Sequence, residues 1–172
     1  KAMADQGLCS RRQAEQIIQE GRVKLNGRPV QLGDKMDIRA DILSVDGQRV
    51  FFDRKKEYYY YMMNKPRGYI TTSSDDRGRK TVLDLIKDTP TRVYPVGRLD
   101  RNTTGVLLLT NDGDLAARLT HPKYMKKKIY HVTCDKNVAM SDMDLLVSGI
   151  ELEDGPVYAD EVSYVNDADR SQ

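Results

Sequence analysis

One acidic residue stands between two arginines in Gly97-Arg98-Leu99-Asp100-Arg101-Asn102-Thr103-Thr104-Gly105. A carboxylate in such a polar, turn-prone stretch is equipped to act as a nucleophile or as a general base, and its arginine neighbours surround it with positive field. The stretch runs directly into Val106-Leu107-Leu108-Leu109-Thr110, which reads as a buried strand, and then into the tight turn Asn111-Asp112-Gly113. Asp100 is thereby placed at the rim of a sheet. A loop of this kind serves structure as readily as catalysis.

A second set of chemically useful residues follows His121-Pro122-Lys123. After Lys126-Lys127-Lys128, the segment Ile129 to Cys134 alternates as a strand. Period two puts Lys128, Tyr130 and Val132 on one face and Ile129, His131 and Thr133 on the other. A cation beside a tyrosine suits a phosphate and a stacked nucleobase. An edge strand with a charged face has the same pattern. No Cys or acidic residue near His121 and His131 completes a metal-ligand set, so no metal is expected, and His121 is read as shaping its turn.

The third set is cationic. Ser10-Arg11-Arg12-Gln13 is a capping-box pattern, followed by Ala14, Ile17 and Ile18 on one helical face and by Gly21 as a stop. Val23 and Leu25 alternate with Arg22 and Lys24, and Asn26-Gly27 is the preferred dipeptide of a two-residue hairpin. Pro29 then confines the returning strand to an edge or a bulge. Arg11, Arg12, Arg22, Lys24 and Arg28 thus share one helix-hairpin unit. They suit a polyanion, and equally a solvated surface.

The elements that must position these groups are short. Residues 1–50 form the helix-hairpin unit, 51–57 a charged linker, and 58–172 a second domain. Tyr58 to Met63 reads as a buried strand that stops at Asn64-Lys65-Pro66-Arg67-Gly68. Its four tyrosines are assigned to packing, since alternation lets only two share a surface. Thr81 to Ile86, Asp114 to Leu119, and a segment capped by Ser141 and Asp144 read as short helices. Val93 to Val96, Val106 to Thr110 and Val157 to Val165 read as strands. Without a βαβ rhythm or a glycine-rich phosphate loop, the class is α+β with a mixed, mainly antiparallel sheet.

At 172 residues, 39% hydrophobic, the chain can bury one core or two small ones. Its net charge is only +2, yet residues 118–136 hold six Lys or Arg against one acid, and residues 137–169 hold nine acids and no Lys or Arg. Such asymmetry points to a localised polyanion-binding face. Cys9 and Cys134 lie outside any CxxC spacing, so a reducing, cytoplasmic setting is expected, and no apolar run approaches membrane-spanning length.

Gly97-Arg98-Leu99-Asp100, the following Thr-x-Gly and the run Leu107 to Gly113 together resemble the catalytic signature of the RsuA/RluB family of ribosomal RNA pseudouridine synthases. Ser10-Arg11-Arg12-x-Ala14-Glu15 and Gly21-Arg22-Val23-x-Leu25-Asn26-Gly27 are similar to the RNA-binding domain first described in ribosomal protein S-four, over Lys1 to about Val50. The resemblance implies isomerisation of a uridine in ribosomal RNA to pseudouridine on a flipped-out nucleotide, without cofactor or metal. It makes Asp100 the catalytic nucleophile or base. Tyr130 would stack on the uracil, and Lys128 would hold a phosphate. Arg98 would fill the vacated space or hold the adjacent phosphate, and Lys65, on a loop beside the cleft, would bind substrate. Arg11, Arg12, Arg22, Lys24 and Arg28 would grip the RNA backbone. The His-Pro-Lys and Leu-Glu-Asp-Gly-Pro segments look more like the large-subunit type. The protein is expected to be a monomer.

Two departures accompany the resemblance. A basic helical turn usually precedes the point where this chain begins. The family's third motif, rich in Gly, Arg and Gln, is expected beyond Gln172, which makes the catalytic domain truncated at its C-terminus and leaves Asp100 without the arginine that normally pairs with it. The alternative reading is a non-catalytic RNA-binding module; the presence of Asp100, Lys128 and Tyr130 together favours the enzyme.

Overall fold

The computed structural model describes residues 1–52, 56–166 and 170–171. Residues 53–55 of the expected linker lie outside them. The chain folds as two compact units, Lys1–Lys126 and Lys127–Gln172.

The first unit begins with α1 (Ala2–Asp5) and α2 (Arg11–Gln19). The Ser10 hydroxyl accepts from the Gln13 N–H at 3.1 Å while the Gln13 side chain accepts from the Ser10 N–H at 2.9 Å, so the expected capping box is formed. Four short strands follow, β1 (Val23–Leu25), β2 (Arg28–Pro29), β3 (Leu43–Val45) and β4 (Gln48–Val50), in the order β2-β1-β3-β4. Both hairpin turns, Asn26-Gly27 and Asp46-Gly47, have positive φ at both residues, as a type I′ turn requires. Pro29 lies on the edge strand, where its missing N–H costs no ladder bond. Met3, Ala14, Val23 and Leu43 form the buried centre, with Ile17 and Ile18 packed against it.

The same unit contains the sheet that positions Asp100. Strands β5 (Tyr60–Lys65), β6 (Tyr94–Val96) and β7 (Gly105–Thr110) are antiparallel in the order β5-β7-β6. Contrary to the expectation of fully buried strands, β5 and β7 bury alternate residues. Leu107 and Leu109 are buried, and Tyr59, Tyr61 and Met63 pack against them, whereas Met62 and Val106 are 76% and 66% exposed. The described chain packs on one face of this sheet, so the pleat sends every second side chain to the open face. Val82 and Val93 complete the core beneath it. A 3-10 turn at Val82–Leu85 is capped by Asp84, which accepts from the Thr81 N–H at 2.6 Å. Helix α3 (Gly113–Thr120) follows β7, with the Asp112 carboxylate accepting from the N–H groups of Asp114 and Leu115.

The second unit contains α4 (Met140–Ser148) and the hairpin β8 (Ile150–Leu152) and β9 (Gly155–Val157). Three expectations are corrected here. The α4 cap is Ala139, whose N–H donates to Asp142 at 3.3 Å; Ser141 and Asp144 sit inside the helix. Residues 158–165 do not continue β9 as a strand, and residues 128–134 form none. A strand exists through its ladder, and the backbone bonds these stretches make, such as that of the Ala159 N–H to the Leu146 carbonyl, do not form one. Ile129, Tyr130 and Val132 are all exposed, so the expected split into two faces is not fixed. Cys134 and Val138 donate their N–H groups to the carbonyls of Ser171 and Arg170. No helix among the described residues is long and apolar enough to cross a membrane.

Candidate active site

Asp100 lies on the loop joining β6 to β7. Four consecutive features hold its backbone. The Leu99 side chain packs into the sheet's core. The Thr71 hydroxyl accepts from the Leu99 N–H at 3.2 Å and donates to the Leu99 carbonyl at 2.7 Å. The Thr103 N–H returns to the Asp100 carbonyl at 3.1 Å, closing a turn, and the Gly68 N–H donates to the Arg101 carbonyl at 2.8 Å. Gly68 does so at φ +89°, a conformation that a side chain would strain. Beneath the loop, the fully buried Lys65 ammonium donates to the carbonyls of Asp100 and Thr103, each at 2.8 Å, with those of Pro66 and Arg101 at 3.2 and 3.3 Å.

Lys65 therefore does not reach for substrate, contrary to the expectation drawn from its motif. It shares strand parity with Tyr61 and Met63, so the pleat turns it toward the core, and its donors are occupied by the loop it supports. Four carbonyl dipoles offset the desolvation of that buried charge. The outcome is an anchored backbone beneath an exposed carboxylate. Among the described residues the Asp100 side chain has neither hydrogen-bond nor ion-pair partner, and Arg98 and Arg101 beside it are exposed and equally unpaired. A rigid loop with an uncommitted carboxylate and flanking cations suits attack on, or proton removal from, an anionic substrate on an open surface. A cavity of about 650 Å³ opens onto the N-terminal core at Met3, Val23 and Phe52 and holds none of the candidate residues.

Lys128 and Tyr130 belong to the second unit, where Tyr130 is 77% exposed. His121 accepts from the Lys123 N–H at 3.2 Å through Nδ1, so it does shape its turn.

Arg11 and Arg12 in the first turn of α2, and Lys24 and Arg28 on the N-terminal sheet, are exposed. The strand register aligns Lys24 with Ser44 and Ser44 with Arg49, which adds Arg49 to the outward cationic face. Sequence reasoning missed Arg49 because the Asp46-Gly47 turn that sets its register was not read as a hairpin. Arg22 differs from its neighbours. Its Nε and Nη2 donate to Asp46 at 2.8 and 2.7 Å, and its Nη1 donates to Glu20 at 2.9 Å. These bonds raise the Arg22 guanidinium above its ordinary value and hold the Asp46 and Glu20 carboxyls below theirs. Arg22 braces the second hairpin against the end of α2, which leaves its guanidinium largely committed rather than open to phosphate.

Known proteins share this arrangement. The profile of the family described as "RNA pseudouridylate synthase" matches residues 59–170, and that of the S4 domain matches residues 1–42. An "Uncharacterized RNA pseudouridine synthase" of Aquifex aeolicus (strain VF5) is 46% identical, over 96% of this chain and 66% of its own length. A "Ribosomal large subunit pseudouridine synthase B" of Bacillus subtilis (strain 168) is 45% identical, over 90% of this chain and 62% of its own. The chain thus spans about two thirds of the length of the curated relatives it matches. A crystal structure of a pseudouridylate synthase superposes with a TM-score of 0.52 at 31% identity, covering 91% of this chain and 67% of that one. With the Asp100 loop, the antiparallel sheet and the N-terminal helix-hairpin all in place, the chain belongs to the RsuA/RluB family of RNA pseudouridine synthases, its synthase fold preceded by an S4 domain.

Proposed function

We propose that the protein isomerises a specific uridine of ribosomal RNA, in the large subunit, to pseudouridine. The observation that carries this reading is the uncommitted Asp100 carboxylate on a loop whose backbone is fixed at Leu99, Asp100, Arg101 and Thr103. The reaction breaks the N-glycosidic bond, turns the uracil, and forms a carbon–carbon bond to the same ribose. A proton leaves the ring carbon, and the ring nitrogen ends protonated. Asp100 acts on the ribose side, either as nucleophile at the anomeric carbon or as base on the sugar. The target nucleotide leaves its stack, at a cost of about a few kcal/mol. Tyr130 stacks on its base, Lys128 and Arg98 hold neighbouring phosphates, and Arg11, Arg12, Lys24 and Arg28 dock the surrounding RNA. The relatives' names support the large-subunit target. Ribosomal RNA as substrate supports a cytoplasmic setting, and in this reading the protein acts as a monomer, with residues 1–50 docking and residues 58–172 reacting.

Asp100→Asn tests the assignment, because the amide is nearly isosteric but neither nucleophile nor base. In a tritium-release or mass-shift assay on ribosomal RNA transcripts, the variant loses pseudouridine formation while its RNA affinity stays within a few fold. Substantial turnover by the variant would move the chemistry to another residue. RNA binding by the wild type with no pseudouridine formed would favour a non-catalytic RNA-binding module.

A further inference from the structure

Between β5 and the Val82–Leu85 turn, the chain leaves the sheet as an arm that is fastened twice to the Asp100 loop. One fastening is Gly68 N–H to the Arg101 carbonyl, and the other is the paired bond of Thr71 with Leu99. Asp100 lies between those two points. The strand register agrees, since Lys65 at the end of β5 pairs with Gly105 at the start of β7.

Farther out, the arm is folded on itself. The Asp75 side chain is only 4% exposed. It accepts from the Arg79 N–H at 2.6 Å, from Arg79 Nε at 3.0 Å and from Nη2 at 2.6 Å. The Thr72 hydroxyl donates to the Ser74 carbonyl at 2.7 Å, and the Lys80 ammonium lies 6.0 Å from the centre of the Tyr69 ring. Outward, the arm presents Arg67 and Arg77, both exposed and without a carboxylate hydrogen-bonded or ion-paired to them among the described residues, against one exposed acid, Asp76. Arg67 immediately precedes the Gly68 fastening, which brings its backbone beside Arg101.

We propose that Arg67–Lys80 is a phosphate-gripping arm for the RNA strand flanking the reacting uridine. Arg67 works with Arg101 next to Asp100, Arg77 takes a phosphate farther along, and the Asp75–Arg79 pair keeps the arm in shape. Guanidinium groups match phosphate oxygens through paired donors, and each phosphate neutralised adds to the salt dependence of binding. This inference rests on the reading that RNA is the substrate.

The test is the affinity of the protein for a labelled RNA hairpin with a uridine-containing loop, measured across a series of KCl concentrations. For Arg67→Gln with Arg77→Gln, the slope of log affinity against log salt becomes shallower by about 1.4 to 1.8, two contacts' worth. Asp75→Asn removes a negative charge, so a bystander role predicts tighter binding; as the arm's brace, its loss weakens binding severalfold. Cooperative thermal unfolding and an unchanged far-ultraviolet circular dichroism spectrum verify that both variants are folded, although the Asp75→Asn midpoint falls with its weakened bonds to Arg79. An unchanged slope in the double variant, or tighter binding by Asp75→Asn, overturns the proposal. A wild type that makes pseudouridine while the double variant keeps its slope refutes the arm alone. A shallower slope with no pseudouridine from the wild type leaves the arm standing and removes the chemistry.

Discussion

At the scale of single residues, the opposite placements of Asp100 and Lys65 define the site. The carboxylate is exposed and unpaired, while the ammonium 2.8 Å from its backbone carbonyl is sealed in by main-chain oxygens. Losing Lys65 would not free all four oxygens equally. The Asp100 and Arg101 carbonyls keep the N–H groups of Thr103 and Gly68, whereas those of Thr103 and Pro66 lose the ammonium as their donor. Lys65→Met is therefore expected to destabilise the first unit by about 1–3 kcal/mol. It should lower kcat well beyond any change in KM, because a loosened loop misplaces Asp100 without altering where RNA docks. Denaturant unfolding and single-turnover kinetics separate the two effects. A fall in affinity with kcat preserved would mean that Lys65 does touch substrate. Its inward direction was legible in the alternation Tyr61, Met63, Lys65, although three of its four acceptors were not, since they come from residues 35 to 38 positions farther along.

At the scale of elements, caps and turns were the most readable features because their physics is local. The Ser10–Gln13 box, the Asn26-Gly27 hairpin and the edge position of Pro29 each depend on residues within a few positions of one another. The box also has a functional consequence, since Arg11 and Arg12 occupy the first turn that it holds. Ser10→Ala should cost about 1 kcal/mol of stability and fray that turn. RNA affinity should then fall although no charge has been removed, a result that filter binding together with thermal unfolding can check. An unaffected affinity in the destabilised variant would remove Arg11 and Arg12 from the docking surface. The segment 128–134 carries the opposite lesson. Its alternation is that of a strand, but a strand also needs a neighbour offering a continuous row of N–H and C=O groups, and the bond of Cys134 to the Ser171 carbonyl at the segment's end does not make a ladder.

At the scale of the whole molecule, buried apolar centres are concentrated in the first unit; among the described residues of the second, Met143 is the one buried apolar side chain. Ionised carboxylates tie several of the first unit's elements together. Asp46 and Glu20 are held below the usual carboxylate range by Arg22, Asp41 by Asn26, Asp75 by Arg79, and Asp112 by the Leu115 N–H at the start of α3. A carboxyl whose native value is depressed contributes stability that is complete above its unfolded value of about 4 and is lost as pH falls through the native one. The thermal midpoint should thus be level near neutrality and drop below about pH 4. Asp46→Asn or Asp112→Asn should start from a lower midpoint and flatten that drop. Equal acid sensitivity in these variants and the wild type would assign the effect to other groups.

The sequence by itself determined the short-range order: where helices are capped, where hairpins turn, which residues alternate, and that one carboxylate stands between arginines in a loop that enters a strand. These follow from backbone sterics and from side chains that reach only a few residues along the chain. Tertiary structure decided what each side chain faces. It turned Lys65 from a substrate contact into a support for the Asp100 loop, committed Arg22 to Asp46, added Arg49 to the outward cationic face, and fastened Gly68 and Thr71 on either side of Asp100. All four depend on pairing between distant segments. Sheet register sets that pairing, and a slip of one residue would turn every side chain to the opposite face.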